Sequence, residues 1–385
     1  MKKIILHLVA CLLPIVAAAQ NKVPVIDVTD LYHMHQDPGD NIDLINAYAL
    51  SEIDLKAVIL DCSEGFRGIK AGLGGDYTDP AGPRDAGFVP VLQLNYIFDR
   101  NVPFGVAPFA QMGTPDDKMT DVPKFQQSGI DLILKVLAES EQKVVIVSFG
   151  SARPIAVAYN RNPELFMKKV AKIHLSGGGG YPDHPEWNVG LDPKAFICLL
   201  RSHLPIDLYP CASMGKGPTP ANYFSTAFTV DTFNTYWKLK SKNCIYDMRP
   251  PLKRYIAFAL GRNTRNDFLR AMDVDDSTET ILERFYDREH HVWETAIWCQ
   301  VANRSLVKTA LGWRIVSASA VNRKYERVAE EMLPCKVSVA SNGYYVCTLT
   351  NEPTNFRIYK RENPLLYEEA MNSAFPEYFK SILIR

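Results

Sequence analysis

Short apolar runs alternate with helical patterns along the first half of the chain. Continuous apolar runs are typical of strands that are buried on both faces of a parallel sheet. The runs lie at 23–28, 55–60, 143–149 and 170–176, with helical patterns at 43–50 and 154–159. A strand, a helix and a second parallel strand form a right-handed crossover. Repetition of this unit predicts an α/β fold, a doubly wound and mainly parallel sheet with helices on both faces.

Two other parts of the chain depart from this alternation. Residues 66–113 are rich in Gly, Pro and Asp and weakly periodic, which predicts a long rim or an insertion. Within 335–350, Asn342-Gly343 separates two strand-like stretches, and Asn-Gly there is a strong hairpin signal. We therefore expect a small C-terminal β-hairpin, followed by a last helix over about 365–382.

The first residues have the pattern of a secretory signal peptide. Lys2 and Lys3 precede an apolar stretch at 4–16, and three alanines at 17–19 form a small-residue cleavage site. The apolar stretch is too short to be interpreted first as a transmembrane helix. We predict a signal peptide over 1–19 and export to the periplasm or the outside of the cell. A lipoprotein anchor at Cys11 ranks second, because it would leave a very short apolar stretch.

Composition narrows the partners of the mature chain. Lys and Arg number 43, as do Asp and Glu, so the formal net charge is zero. Nucleic-acid binding needs an excess of basic residues, so no nucleic acid is expected as the main partner. No later segment is long and apolar enough for a bilayer, so we expect no transmembrane segment in the mature chain. We predict one domain over 20–385, with core motifs at 23–307 and a C-terminal extension at 308–385. A homo-oligomer is an open alternative to a monomer.

An acidic stretch follows the first predicted strand. From Asp27 to Asp43 the chain has five carboxylates and two imidazoles. Ligands of α/β sheets bind in the crevice outside the carboxyl ends of the strands. Carboxylates crowded there repel one another unless a cation or a shared proton relieves them, and hard oxygen ligands suit Ca²⁺ or Mg²⁺. On these residues alone, a metal site and a capped polar turn are both open.

Four stretches of the chain, in order, resemble motifs of the inosine-uridine-preferring nucleoside hydrolase family. That family has an Asp-rich motif after its first strand, a strand followed by Gly-Pro-Leu-Thr-Asn, a Met-Gly-Gly and Glu-Phe-Asn region, and a late His-Asp. The matching stretches here are 30–43, 150–154 (Gly-Ser-Ala-Arg-Pro), 177–188 (ending in Glu-Trp-Asn) and 290–294 (His-His-Val-Trp-Glu). The resemblance covers about 23–307 and implies the fold of that family.

The resemblance implies a Ca²⁺ ion held by carboxylates of the first motif. Asp30 resembles the carboxylate that both binds the ion and takes a proton from the attacking water. Asp40 resembles the ligand at the start of the first helix. In an alternative register Asp37 takes the first role, and Asp43 is a further candidate of the same motif.

Two more metal ligands follow from the later motifs. Arg153 would supply a backbone carbonyl, and its side chain is a candidate for the mouth of the pocket. Glu294 replaces the late Asp of the family and is one methylene longer, but it is still a hard oxygen donor.

The remaining candidates concern the substrate. Glu186 and Asn188 resemble residues that hydrogen-bond the ribose hydroxyls, although a capped turn is the alternative. His184 lies in the same segment. Trp293 stands where the family has a His that assists the leaving base, and it is a candidate for stacking on a base. His291, or His290, is the candidate acid from one helical turn away, with an exposed helix start as the alternative.

The resemblance predicts a hydrolase that cleaves the N-glycosidic bond of a ribonucleoside or related glycoside with a Ca²⁺-activated water. The alternative is a nucleoside- or sugar-binding protein of the same fold that has lost turnover. This alternative arises because the late His and one of the paired Asp residues are replaced. The discriminator is whether His290 or His291 points into the pocket.

Overall fold

The apolar runs of the sequence form neighbouring strands of one sheet. The computed structural model describes residues 22–31, 38–63, 87–212, 232–261, 267–274 and 276–384. The signal peptide predicted at 1–19 and the candidate ligand Asp37 lie outside these ranges. The strands are β1 (Val23–Thr29), β2 (Ile53–Leu60), β3 (Phe104–Val106), β4 (Val144–Ser148), β5 (Val170–Ser176), β6 (Gly180–Tyr181), β7 (His184–Pro185), β8 (Ile206–Tyr209), β9 (Trp237–Lys240), β10 (Glu289–Val292), β11 (Arg304–Thr309), β12 (Gly312–Ser317), β13 (Glu326–Arg327), β14 (Glu330–Val339), β15 (Tyr345–Leu349) and β16 (Phe356–Arg361).

Helices connect the strands and cover the sheet. The α-helices of the described ranges are α1 (Pro38–Ala49), α2 (Phe88–Ile97), α3 (Ser128–Glu139), α4 (Arg153–Arg161), α5 (Pro163–Lys169), α6 (Trp187–Leu191), α7 (Pro193–Leu200), α8 (Ser241–Ile245), α9 (Pro250–Leu260), α10 (Thr278–Leu282), α11 (Thr295–Val301) and α12 (Pro364–Ser381). Short 3₁₀ turns lie at Lys124–Gln127, Arg270–Met272 and Ala318–Ala320. Among the described residues, no helix has both the length and the apolar character that crossing a bilayer requires.

The main sheet has the order β3-β2-β1-β4-β5-β8-β16-β14-β15 in the described ranges. The strands from β3 to β16 in this order are parallel to their neighbours, whereas β14 and β15 are antiparallel. The order of strand addition reverses between β1 and β4, which makes this junction the topological switch point of the sheet. The prediction of a doubly wound, mainly parallel sheet is confirmed.

Both faces of the sheet are buried under helices. On β1, Val25 packs into one apolar cluster, whereas Ile26 and Val28 pack into the other. Side chains of α1, α2, α9 and α12 contribute to the first cluster, and those of α3, α4, α5 and α7 to the second. Strands that are buried on both faces explain why the sequence shows continuous apolar runs instead of alternation.

The C-terminal extension is part of the main sheet. The predicted hairpin is confirmed as β14 and β15, and the last helix as α12. Between them lies β16, which the sequence analysis missed. It pairs in parallel with β8 and antiparallel with β14, and so joins the hairpin to the core.

The alternative of an exposed helix start at His290 and His291 was wrong. His290 and His291 lie on β10, which pairs with β9, and the following helix begins only at Thr295. Part of the weakly periodic stretch is regular, since it contains α2 and β3. Helix α2 is apolar or buried around most of its circumference, so it lacks the stripe of an amphipathic helix.

Candidate active site

Several of the sequence-predicted site residues lie at the carboxyl ends of the central strands. The chain leaves β1 at Asp30 and β2 at Asp61, and the Asp61 N–H donates to the Thr29 carbonyl at 2.9 Å. Gly150 follows β4, and a Cβ built on it would lie 2.6 Å from Asp61 Oδ2 and 3.3 Å from the Asp30 Cβ. Only glycine therefore lets β4 turn into α4 against these two carboxylates. The edge coincides with the switch point of the sheet.

Three carboxylates form a buried group near this edge, which we call the acidic cluster: Asp27 of β1, Asp43 of α1 and Glu294 before α11. Asp27 and Asp43 are each 1% exposed, and Glu294 is 5% exposed. Burial, and then the charge of Glu294, raises the pKa of Asp27 to about 8. Burial and Glu294 also raise the pKa of Asp43, and burial raises the pKa of Glu294. Three ionised carboxylates at this spacing repel one another.

Hydrogen bonds satisfy only part of the acidic cluster. Asn46 Nδ2 and Thr295 Oγ1 donate to Asp43 Oδ1 at 3.1 and 3.2 Å. Among the described residues, Asp27 Oδ1 is buried and accepts no hydrogen bond. The Asp43 and Glu294 carboxyl groups are within hydrogen-bonding reach of each other, which a shared proton or a cation would relieve. Buried carboxylate oxygens need a donor, a proton or a cation, so this set of oxygens fits a hard cation such as Ca²⁺. Over the same ranges, no group of three or more His, Cys, Asp or Glu side chains is already arranged around one metal position.

Asp30 and Asp40, the first predicted ligands, are both buried and lie between Asp27 and Asp43 in the sequence. Asp30 is 6% exposed, and Asp40 lies in the first turn of α1 at 5% exposure. Burial raises the pKa of the Cys211 thiol, and the charges of Glu186, Glu294 and Asp30 raise it further, so the charges of all three carboxylates act on this thiol. Asp43 of α1 interacts with Glu294. The shared ion stays a prediction.

Arg153, at the start of α4, is fully buried and does not reach a pocket mouth. Its Nη2 lies 3.1 Å from Asp61 Oδ1, and its Nη1 lies 3.3 Å from Asp192 Oδ2. Nε donates to the Pro108 carbonyl at 2.7 Å. The proposed role of its side chain at the pocket mouth is therefore wrong, because the guanidinium forms ion pairs with two buried carboxylates. The role of its carbonyl stays a prediction.

The carboxylates around Arg153 have donors of their own. Asp61 Oδ2 accepts hydrogen bonds from the Ser151 N–H and hydroxyl, both at 2.7 Å. Asp192 accepts from the Met112 N–H at 2.9 Å and caps α7. We call Arg153, Asp61, Asp192 and Ser151 the arginine network. It ties the ends of β2 and β4 to α7.

Glu186 and Asn188 lie at the start of α6, next to a run of four glycines at 177–180. Glu186 Oε2 accepts from the Gly178 N–H at 2.9 Å, and Oε1 accepts from the Asn188 N–H at 3.1 Å. Asn188 Nδ2 faces the carbonyls of Phe149 and Ser176, which end β4 and β5. Burial raises the pKa of Glu186 to about 7. The capped turn is present, and contacts of these side chains to a sugar stay a prediction.

His291 and Trp293 form an aromatic group with Tyr236. The His291 ring lies 5.2 Å from that of Tyr236 and 6.0 Å from that of Trp293. Trp293 Nε1 donates to the Cys211 carbonyl at 2.8 Å, which fixes the indole beside the end of β8. Burial, and then Lys238, lowers the pKa of His291. His291 therefore contacts Trp293, whose indole is fixed next to Cys211.

The other two candidate histidines, His290 and His184, are placed differently. His290 lies on the face of β10 opposite to His291, and its ring lies 6.5 Å from that of Phe285. Burial lowers the pKa of His290 to about 4. His184 is exposed on β7, opposite Tyr181 of β6. Neither residue has a contact that links it to the acidic cluster in the part of the chain that the structure describes.

The sequence analysis assigned no individual role to three charged residues of this edge. Asp27 interrupts an apolar strand and Asp61 ends one, so both had a visible signal at the sequence level. Asp192 precedes Pro193 and reads as an ordinary helix cap. Its pairing with Arg153 depends on the tertiary fold.

Part of the chain is similar to bacterial nucleoside hydrolases. Over 83 residues it is 35% identical to the pyrimidine-specific ribonucleoside hydrolases RihA of Enterobacter sp. (strain 638) and Escherichia coli (strain SMS-3-5 / SECEC). The match covers 20% of this chain and 26% of each relative, so the chain matches about a quarter of the length of these curated relatives. No model of a protein family matches the chain.

Solved structures of similar proteins include two nucleoside hydrolases. The inosine-uridine preferring nucleoside hydrolase from Bacillus anthracis is 12% identical, with a TM-score of 0.45 over 94% of this chain and 100% of that chain. The purine-preferring ribonucleoside hydrolase from Gardnerella vaginalis is 15% identical, with a TM-score of 0.41 over 93% of this chain and 99% of that chain.

Proposed function

We propose that this chain is a divergent member of the nucleoside hydrolase family and that it hydrolyses the N-glycosidic bond of a ribonucleoside or a related glycoside, in line with its partial similarity to ribonucleoside hydrolases. One observation carries the proposal. Three buried carboxylates from distant parts of the sequence, Asp30, Glu186 and Glu294, lie at the carboxyl edge of the sheet. Trp293 donates to the Cys211 carbonyl at 2.8 Å, which places the adjacent Glu294 near the end of β8. Carboxylates at this position fit a reaction in which positive charge develops on a sugar ring.

In this mechanism Asp30 takes the proton of the attacking water. Its position directly after β1 places it at the switch point, and its burial limits competition from bulk water. As the glycosidic bond breaks, the ring acquires oxocarbenium character, and the negative charge of the neighbouring carboxylates stabilises it.

The donor set supports a Ca²⁺ ion at this edge. Asp30, Asp40, Asp43, Glu294 and the Arg153 carbonyl are the groups that would hold it. The support comes from Asp27 Oδ1, which is buried and accepts no hydrogen bond in the described ranges, and from the contact between the Asp43 and Glu294 carboxyl groups. When bound, such an ion lowers the pKa of a water and orients it.

Glu186 and Asn188 are proposed to hold the sugar hydroxyls. Glu186 is fixed by backbone N–H groups, and Asn188 by the ends of two strands, so both side chains are positioned before substrate binds. Positioning of this kind lowers the entropic part of the barrier.

His291 and Trp293 are proposed to contact the leaving base. Trp293 offers an indole face for stacking, and His291 offers a ring nitrogen to the base. Burial lowers the pKa of His291, which reduces the fraction of the ring that carries a proton for the leaving base. A smaller protonated fraction is in line with the second candidate function, a nucleoside- or sugar-binding protein that has lost turnover.

The test is release of free sugar by the purified chain with Ca²⁺. Pyrimidine ribonucleosides come first in the panel, because the curated relatives are named for them, followed by purine ribonucleosides and a nitrophenyl riboside. We expect Asp30→Asn to lower kcat by about 10²- to 10⁴-fold with the fold intact, because Asn cannot accept the proton. The matched control is Asp131→Asn, on the exposed face of α3, which should retain activity.

Two outcomes would contradict the hydrolase. Equal activity of Asp30→Asn and wild type would eliminate the proposed base. Wild type that binds a nucleoside in calorimetry but releases no sugar from any substrate would establish the binding protein instead.

We also propose export of the chain after removal of 1–19. The mass of the mature protein from the periplasmic fraction tests this. A mass that retains those residues, or that carries a lipid at Cys11, would contradict the proposed processing.

A further inference from the structure

The C-terminal hairpin contacts the glycine run next to the proposed sugar site. Tyr345 of β15 is 1% exposed, and its hydroxyl donates to the Gly177 carbonyl at 2.7 Å. Its ring packs on Gly178, where a Cβ would overlap the ring. Gly178 has a φ of +107°, in the region that favours glycine. The hairpin and the glycine run therefore fit together closely.

Gly178 connects this contact to Glu186. Its N–H donates to Glu186 Oε2 at 2.9 Å, and its carbonyl accepts from the N–H groups of Cys211 and Ala212 at 3.2 and 3.1 Å. A shift of the glycine run would move the anchor of the Glu186 carboxylate. Tyr345 is thus connected to the Glu186 carboxylate through Gly178.

The tip of the hairpin reinforces the same region. Asn342 Nδ2 donates to the Pro182 carbonyl at 2.6 Å. A Cβ on Gly343 would lie 2.8 Å from Val189 Cγ1 and 3.0 Å from the Pro193 Cα, so the tip packs on α6 and the start of α7. The hairpin contacts the segment that carries Glu186 and Asn188 at both of its ends.

We propose that Tyr345 is a positioning residue of the sugar site, and that the C-terminal hairpin is a clamp that fixes the segment 177–190. The proposal rests on the proposed function for its effect on substrate. Its physical content, a segment held in place by the Tyr345 hydroxyl, does not depend on which substrate binds.

The first experiment compares Tyr345→Phe with Tyr359→Phe. Both tyrosines are buried, and each hydroxyl donates one hydrogen bond of 2.7 Å, to Gly177 and Glu330 respectively. For uridine we expect Tyr345→Phe to lower kcat/KM by about tenfold, mainly through KM, and Tyr359→Phe to leave it near wild type.

A panel of deoxynucleosides separates positioning from general destabilisation. A substrate that lacks a contacted hydroxyl has already lost part of the interaction, so Tyr345→Phe should cost less on it. We expect a loss of less than about threefold on 2′-deoxyuridine or 5′-deoxyuridine. Equal losses on all three substrates, or equal losses in the two variants, would overturn the positioning role.

Hydrogen exchange tests the clamp without activity. Exchange of amides in 177–190 should accelerate by about tenfold in Tyr345→Phe and less in Asn342→Ala, whose side chain is at the exposed tip. Exchange should stay unchanged in Tyr359→Phe. Unchanged exchange in a folded Tyr345→Phe would overturn the proposal even if uridine proves not to be a substrate. Failure of wild type to bind or hydrolyse any nucleoside would instead overturn the proposed function.

Discussion

Two groups of buried charges lie at the same edge of the sheet, and they are satisfied to different degrees. In the arginine network, Arg153 pairs with Asp61 and Asp192, and all three side chains are fully buried. In the acidic cluster, carboxylates face carboxylates. Over the described ranges, no Lys or Arg forms an ion pair with Asp27, Asp43 or Glu294.

This difference in pairing indicates that the arginine network is a structural scaffold and that the acidic cluster is a binding site. A buried ion pair with its hydrogen bonds complete can hold two strand ends and a helix in place without taking part in chemistry. Groups that are buried with like charges and raised pKa values cluster at functional sites, because a ligand or a cation completes them. We therefore expect mutations in the arginine network to act on stability, and mutations in the acidic cluster to act on ion binding.

The largest expected effect comes from breaking the arginine network. Arg153→Met leaves Asp61 and Asp192 buried without their cation, which should lower the free energy of unfolding by about 3–5 kcal/mol. Urea denaturation measures this. The control is Lys308→Met, which removes an exposed pair with Glu326 and should cost less than about 1 kcal/mol. A cost for Arg153→Met as small as that of the control would contradict a structural role for the network.

The arginine network also shows where sequence reasoning ends. The strand predicted at 170–176 coincides with β5, because a continuous apolar run reports burial directly. The partners of Arg153 lie 92 and 39 residues away in the sequence. No local pattern distinguishes a buried, paired arginine from one at a pocket mouth, so its side chain was misplaced.

The second prediction concerns Ca²⁺. An ion that binds the folded acidic edge and not the unfolded chain stabilises the protein by about 2.7 kcal/mol at 100-fold excess over the dissociation constant. Calorimetric melts with and without chelator, at matched ionic strength, measure the shift in Tm. Identical melts after confirmed removal of Ca²⁺ would count against a site of this strength.

The same limit applies to β16 and to the acidic cluster. Sequence predicted a carboxylate site at the end of the first strand, and the structure brings carboxylates together there. Which residues meet was not predictable, because Asp43 approaches Glu294 through the packing of α1 against α11. Strand β16 was missed because its pairing with β8 is set by a long-range contact and not by its own six residues.

The third prediction is a pH dependence of the Ca²⁺-free protein. The pKa of Asp27 is raised from 3.8 to about 8, and that of Glu186 from 4.5 to about 7. The folded state thus holds protons that the unfolded state has already released, so stability falls as the pH rises from 5 to 8. Each such proton contributes a slope of up to about 1.4 kcal/mol per pH unit.

Unfolding free energies at several pH values, with and without Ca²⁺, check this slope. Bound Ca²⁺ favours the ionised carboxylates and should flatten it. Stability that increases between pH 5 and 8 in the absence of Ca²⁺ would show that the acidic cluster is ionised and relieved by some other contact.

The smallest expected effect gives the sharpest test. The same change, Asp to Asn, should shift the free energy of unfolding in opposite directions in the acidic cluster and in the arginine network. Asp43→Asn keeps an acceptor for Asn46 and Thr295 and turns an N–H₂ group toward Glu294. It should stabilise the Ca²⁺-free protein by about 1 kcal/mol and reduce the stabilisation by Ca²⁺. Asp192→Asn, the same change in the arginine network, removes the charge that pairs with Arg153 and should destabilise the protein by about 1–3 kcal/mol. Urea denaturation of both variants, with and without Ca²⁺, measures the pair, and shifts of the same sign in both would remove the distinction between scaffold and site.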